Sequence, residues 1–113
     1  MKIEHYSFGK IIIDGKTYTS DVIIYPEKVD SSWWRKQGHS LHIDDLMNVI
    51  ADKPELLIVG TGNSGVMVVP QETVSYLKSK GIEVNITRTD EAVKLFNKFQ
   101  KEKRTIAALH LTC

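Results

Sequence analysis

Hydrophobic and polar positions alternate along the first quarter of the chain, which is the period of a half-buried β-strand. The alternation predicts three strands, at Lys2–Phe8, Lys10–Ile13 and Thr17–Tyr25. Asp14-Gly15 separates the last two, and both residues tolerate a positive φ, so we expect a β-hairpin there. Residues 27–41 follow Pro26 and are interpreted as a connection that contains at most a short strand.

Beyond this connection the apolar positions recur at helical spacing. A first helix is predicted to begin near Ile43 and to end before Pro54. Pro70 suits the first position of a second helix over about residues 71–80, and Gly81 suits its left-handed C-cap. A third helix is expected to be capped by Thr87 or Thr89 and to turn its apolar side inward, at Ala92, Phe96 and Phe99.

Strands are predicted to alternate with these helices. Leu56–Val59 is a continuous apolar run, as expected of a strand covered on both faces, and further strands are predicted at Glu83–Ile86 and Thr105–Leu111. An antiparallel opening followed by α-β-α-β-α-β indicates an α/β fold. We therefore expect one three-layer domain over residues 1–113, with a central mixed β-sheet, an N-terminal antiparallel hairpin and flanking helices.

Composition and charge narrow the classes of function. A chain of 113 residues has room for one domain, and 15 Lys and Arg against 14 Asp and Glu leave a net charge of +1. Such a balance provides no overall field for nucleic acid, so that partner is not expected. No apolar run approaches the roughly 20 residues needed to cross a bilayer. The single cysteine excludes an intramolecular disulfide, and a cytoplasmic location is predicted.

One glycine-rich turn resembles a nucleotide-binding motif. Residues Gly60, Thr61, Gly62, Asn63, Ser64 and Gly65 satisfy G-x-G-x-x-G. In a dinucleotide site the helix begins inside this motif, so that its first N–H groups meet the pyrophosphate. Here valine-rich extended chain and Pro70 follow the glycines, and the helix begins too late. No cofactor is therefore predicted, although these six residues are kept as candidates for binding a small molecule or anion.

An aromatic and basic segment, Trp33-Trp34-Arg35-Lys36, is the second candidate site. Adjacent side chains of an extended segment point to opposite sides, so one tryptophan is expected in the core and the other at the surface. An exposed tryptophan beside arginine is typical of protein interfaces. These four residues are predicted to bind a protein partner in preference to nucleic acid.

Two histidine groupings are weaker candidates. His110 and Cys113 suggest a catalytic dyad, but along one continuous strand they would point to opposite faces. His110 is expected to pack at a strand end, and Cys113 to be a partly buried residue that closes the sheet. His39 and His42, with Asp44 or Asp45, lack the spacing that fixes three metal ligands. No catalytic or metal site is predicted.

Fragments in a fixed order along nearly the whole chain carry a family resemblance: "IDGK", "DVIIYP", "WWRKQGHSL", "VGTGNSGVMVVPQE" and "RTIAALHLTC". The chain resembles a family of small α/β proteins that includes the adipogenesis-associated protein and a mitochondrial complex I assembly factor. The resemblance implies a three-layer α/β fold with a central mixed sheet and no established catalytic activity. It assigns no catalytic role to the glycine turn, His110 or Cys113.

Two classes of function follow from these observations. The first is a non-enzymatic interaction or assembly module, which would bind a protein partner or associate with itself. The second is a small-molecule-binding protein or enzyme with its pocket at the Gly60–Gly65 turn, where open α/β sheets usually bind ligands. An enclosed pocket at the turn would favour the second class, and an exposed apolar patch would favour the first. The sequence leans towards the first and leaves enzymatic activity undecided.

Overall fold

Eight strands and three α-helices make up the computed structural model, which describes residues 1–113. The strands are β1 (Ile3–Ser7), β2 (Lys10–Ile13), β3 (Lys16–Tyr18), β4 (Val22–Ile24), β5 (Val29–Asp30), β6 (Leu56–Gly60), β7 (Glu83–Thr87) and β8 (Thr105–Leu109). The helices are α1 (Met47–Asp52), α2 (Gln71–Ser79) and α3 (Thr89–Phe99), and a 3-10 helix at Ile43–Leu46 leads into α1.

The strands form two sheets. The larger has the order β5-β4-β8-β6-β7, in which β6 is parallel to β7 and β8, whereas β4 is antiparallel to β8 and to β5. The smaller sheet is an antiparallel β1-β2-β3 meander. Since β8 is the middle strand of the larger sheet, the residues that follow it emerge at the centre of the sheet edge where β6 also ends.

Side chains of the central strands alternate between two cores. Leu56 and Ile58 face Phe96 of α3 and the small sheet, in a core that also contains Ile11. Leu57 and Val59 face the opposite core, which holds Val49 of α1 and Leu77 of α2. Both faces of the sheet are therefore covered at its centre, which explains why β6 and β8 are buried along their whole length and are almost entirely apolar. The predicted three-layer α/β fold with a central mixed sheet is confirmed.

Several local predictions are also confirmed. The hairpin turn between β2 and β3 is Asp14-Gly15, with φ of 49° and 79°. The second helix begins at Gln71 and is followed by Gly81 with φ of 79°. The hairpin turn and the end of the helix each require a positive φ. Glycine adopts such an angle without steric cost, at Gly15 in the turn and at Gly81 after the helix.

The prediction of one strand over Thr17–Tyr25 is wrong. The run divides into β3 and β4, which belong to different sheets, because β3 pairs with β2 while β4 pairs with β8. Asp21 lies between them and accepts a hydrogen bond from the Leu111 N–H at 2.8 Å. This long-range contact, which the local alternation does not reveal, directs the chain from one sheet to the other.

The expected cap of the third helix is also wrong. Arg88 is the N-cap residue of α3 and makes no side-chain capping bond, and Thr89 is the first helical residue. The Thr89 hydroxyl instead accepts the Gly62 N–H at 2.9 Å and donates to the His110 carbonyl at 2.6 Å. Thr89 therefore joins α3 to the glycine turn and to the end of β8.

Candidate functional site

The glycine turn at the carboxyl end of β6 is occupied by the protein's own chain. Asn63 N–H donates to the Thr112 carbonyl at 2.6 Å, and the N–H groups of Ser64 and Val66 donate to the Cys113 main-chain oxygen at 3.3 and 3.1 Å. The remaining N–H groups from Thr61 to Val68 also donate to protein oxygens. The amides of the turn thus hold residues 112–113 in the place where a nucleotide-binding turn holds phosphate.

Gly62 permits this close contact. Its φ is 110°, and a Cβ built on it would lie 2.3 Å from the Cys113 carbonyl carbon and 2.9 Å from His110 Cδ2. No side chain fits at such distances, so the glycine is required by the approach of residues 110–113 as much as by the turn itself. Of the six candidate residues of the turn, Gly60, Thr61 and Gly62 are buried, and Asn63, Ser64 and Gly65 are exposed.

A buried cluster of Asp21, Arg35 and His110 lies beside the turn. Asp21 Oδ2 is 2.8 Å from both His110 Nδ1 and an Arg35 terminal nitrogen, and Arg35 also donates to the Gly38 carbonyl. Burial by itself would raise the pKa of Asp21. Hydrogen bonds from His110, the Leu111 N–H and Arg35 outweigh burial and lower the pKa of Asp21 to about 2. Asp21 is therefore ionised at neutral pH, and its contacts tie three segments of the chain together.

This cluster corrects the role expected of Arg35. Its side chain is 6% exposed and lies over the Trp33 ring, 4.7 Å from the ring centroid. Arg35 therefore faces inward and is not available at the surface beside a tryptophan. It positions Trp33 and neutralises Asp21.

His110 and Cys113 do not lie on one continuous strand, as the sequence analysis assumed. The strand β8 ends at Leu109, so the alternation does not extend to Cys113. His110 is buried at the strand end, as expected, whereas Cys113 is exposed and the prediction that it closes the sheet is wrong.

The His39 ring contacts the His110 ring edge-on at 5.7 Å between centroids. His42 instead begins the 3-10 helix, where its N–H donates to Asp45.

The two tryptophans differ in exposure as the sequence predicts. Trp33 packs against the core that contains Val49 and Leu77, and it donates its Nε1–H to the Asp45 carbonyl at 3.1 Å. Trp34 is 75% exposed. Alternation along an extended segment therefore separates one anchoring ring from one surface ring, and Trp34 is the surface ring.

Trp34 borders an open groove of about 310 Å³, hereafter the tryptophan groove. Both tryptophans line it together with Met47, which is 55% exposed, and Ile23 contributes to its floor. The polar residues of its lining are Asp30, Ser32, Lys36, Asp44, Asp45 and Asn48. A large exposed apolar surface framed by polar groups is typical of protein-binding sites.

Asp30, Asp44 and Met47 were not recognised as site residues from the sequence. Asp44 and Asp45 lie in the first turn of the 3-10 helix, where the Asp45 carboxylate accepts the His42 and Lys36 N–H groups. Met47 is the first residue of α1 and is exposed although it is apolar. The 3-10 helix lies beside the Trp33-Trp34 segment because Asp45 accepts hydrogen bonds from Trp33 Nε1–H and from the Lys36 N–H. No local pattern in the sequence signals these contacts.

The fold and the groove define a small α/β protein with an exposed aromatic surface, and the comparisons place it in a family. Residues 3–111 match the family described as "Protein of unknown function (DUF498/DUF598)". The chain belongs to this family, which confirms the resemblance seen in the sequence.

Similar proteins align with nearly the whole chain. A conserved hypothetical protein of Pyrococcus horikoshii OT3 has a similar crystal structure, with 31% identity, a TM-score of 0.86 and complete coverage of both chains. The "13 kDa major membrane protein" of Francisella tularensis subsp. holarctica is 24% identical, over 94% of this chain and 86% of the relative. "NADH dehydrogenase [ubiquinone] 1 alpha subcomplex assembly factor 3" of Xenopus tropicalis is 26% identical over 96% of this chain and 59% of its own length.

The name of the Francisella relative makes membrane segments relevant. No helix of this chain has both the length and the apolar character required to cross a bilayer. The cytoplasmic location stays a prediction.

Proposed function

We propose that the protein is a non-enzymatic interaction or assembly module that binds a protein partner, or a second copy of itself, at the tryptophan groove. The observation that carries the proposal is the 75% exposure of Trp34 at the rim of a groove that also exposes Met47. Removing such a ring from water on binding releases a large amount of hydrophobic free energy, and tryptophan is enriched among the residues that dominate interfaces.

The environment of Trp34 supports this proposal. Trp33 and Arg35, its neighbours in sequence, are anchored by the Asp45 carbonyl and by Asp21 respectively. Trp34 is therefore presented by a fixed segment, which reduces the entropy lost on binding. The relative named as a complex I assembly factor is consistent with a role in assembly, although that name describes the relative alone.

The alternative is a ligand site at the Gly60–Gly65 turn, at the carboxyl end of β6. The turn's main-chain amides already donate within the protein, so such a site would depend on the exposed side chains of Asn63 and Ser64. The tryptophan groove requires no rearrangement of this kind, and it is the better supported site.

Paired tryptophan variants test the proposal. We expect Trp34→Ala to change the free energy of unfolding by no more than about 0.5 kcal/mol, since the ring is at the surface. Trp33→Ala should cost about 2 kcal/mol or more, because its ring packs on the core. Used as bait in quantitative affinity capture, Trp34→Ala should recover a specific partner at least about tenfold less well than the wild-type protein.

Phe8→Ala is the matched control, because Phe8 is an exposed aromatic residue (60%) outside the groove lining. It should recover the partner as the wild-type protein does. Self-association would be detected by analytical ultracentrifugation of the same variants. Equal recovery and equal self-association for all of them would contradict the proposal.

A further inference from the structure

The tryptophan groove carries an excess of negative charge. Its lining contains three carboxylates, Asp30, Asp44 and Asp45, and one ammonium group, that of Lys36. The groove therefore has a charge opposite to that suggested by the basic sequence Arg35-Lys36, because the Arg35 guanidinium is buried against Asp21.

Two of these carboxylates can accept further hydrogen bonds. Asp30 uses Oδ1 to accept from Ser32, which leaves Oδ2. Asp44 faces Lys36 across 3.6 Å, with 73% and 67% of the two side chains exposed, and such a solvated pair is easily exchanged for another partner. Asp45, by contrast, uses both oxygens on main-chain N–H groups and serves the fold.

The exposed indole of Trp34 adds an aromatic face beside these carboxylates. An aromatic face attracts a cation, and arginine is the cation that stacks most often because its guanidinium is planar and weakly hydrated. The protein already contains this combination on its inner side, where the Arg35 guanidinium lies over Trp33 and pairs with Asp21 at 2.8 Å. The groove thus presents the same two components, tryptophan and carboxylate, to the exterior.

We infer that the tryptophan groove binds an arginine side chain of a partner protein, with the guanidinium against the Trp34 indole and its N–H groups directed to Asp30 and Asp44. This inference rests on the proposed function and specifies the chemistry of the partner. Electrostatic complementarity of this kind selects partners and accelerates their association.

The test is a titration of the ¹⁵N-labelled protein with N-acetyl-arginine methylamide, followed by NMR. N-acetyl-citrulline methylamide, which has nearly the same shape but no side-chain charge, is the matched probe. We expect the arginine probe to shift the Trp34 indole N–H and the amides of residues 30–36 and 44–48, with saturation in the millimolar range. The citrulline probe should bind at least about tenfold more weakly.

Protein variants locate the interaction. Trp34→Ala and the double variant Asp30→Asn with Asp44→Asn should each raise the Kd of the arginine probe about tenfold. Asp90→Asn, which changes an exposed carboxylate on α3, should leave the Kd unchanged. Raising the salt concentration from 50 to 300 mM should weaken binding, since the groove is open to solvent.

The outcomes separate this inference from the proposed function. Equal binding of the arginine and citrulline probes, shifts confined to residues outside the groove, or equal binding of N-acetyl-lysine methylamide would overturn the arginine assignment. If partner capture is nevertheless lost in Trp34→Ala, the groove is an interface of different chemistry. If the arginine probe binds as expected but capture is unaffected by Trp34→Ala, the arginine site stands and the proposed interface is wrong.

Discussion

Asp21→Asn should lower the free energy of unfolding at pH 7 by about 3 kcal/mol, because it leaves the Arg35 guanidinium buried without a counter-charge. The Arg35 and His110 side chains are only 6% and 7% exposed, so water cannot replace the lost carboxylate. Chemical denaturation followed by tryptophan fluorescence measures the change, and Trp33, against which Arg35 packs, reports on the cluster. Asp90→Asn is the surface control and should cost less than 1 kcal/mol.

The same carboxylate predicts a pH dependence with a definite sign. The pKa of Asp21 is lowered from 3.8 to about 2 in the folded protein, so its stabilisation is complete above pH 4. It is lost as the pH falls from about 4 to 2, because the unfolded chain binds the proton first. A shift of this size corresponds to about 2 kcal/mol.

Wild type and Asp21→Asn should therefore approach each other in stability over this range. A difference between wild type and Asp21→Asn that stays constant between pH 5 and pH 2 would show that the cluster does not depend on the Asp21 charge.

Gly62→Ala has the second large expected effect, a loss of about 3 kcal/mol or more. The φ of 110° is strained for any residue with a Cβ, at a cost of about 1–3 kcal/mol. The added carbon would also lie 2.3 Å from the Cys113 main chain, so residues 112–113 would have to leave the turn. Hydrogen bonds from Asn63, Ser64 and Val66 would then be lost, at about 1 kcal/mol each.

Gly38→Ala provides the matched control, since a Cβ at Gly38 meets nothing within 4 Å. Thermal unfolding should show a melting temperature near that of the wild type for Gly38→Ala and a marked decrease for Gly62→Ala. Hydrogen exchange of the Asn63 and Val66 amides should be faster in Gly62→Ala. Equal melting temperatures would mean that residues 112–113 do not rest on the turn in solution.

Elements with local determinants could be predicted from the sequence. Pro70 and Gly81 delimit α2, since Pro70 is the N-cap residue, one position before the first helical residue, and Gly81 has the left-handed conformation that ends a helix. The Asp14-Gly15 turn and the apolar run of β6 are equally local. The division of Thr17–Tyr25 into two strands is not, because it depends on the contact of Asp21 with residues 110 and 111.

In the candidate site, too, features that depend on contacts between residues distant in sequence could not be predicted. Alternation along the chain separates the environments of Trp33 and Trp34, but it cannot show which ring is buried. The inward direction of Arg35 follows from Asp21, which is distant in sequence. The acidic lining of the groove likewise arises where β5 and the 3-10 helix meet the tryptophans, so its charge could not be inferred from Arg35 and Lys36.

Site-specific photo-crosslinking tests the proposed interface most directly. A benzoylphenylalanine in place of Trp34 reports contacts at the groove, and the same residue in place of Phe8, which is also exposed, reports contacts outside the groove lining. Irradiation in cells of the source organism should give a discrete adduct, with a partner or a second copy, from position 34 and not from position 8. Adducts from position 8 alone, or the same adducts from both positions, would contradict an interface at Trp34.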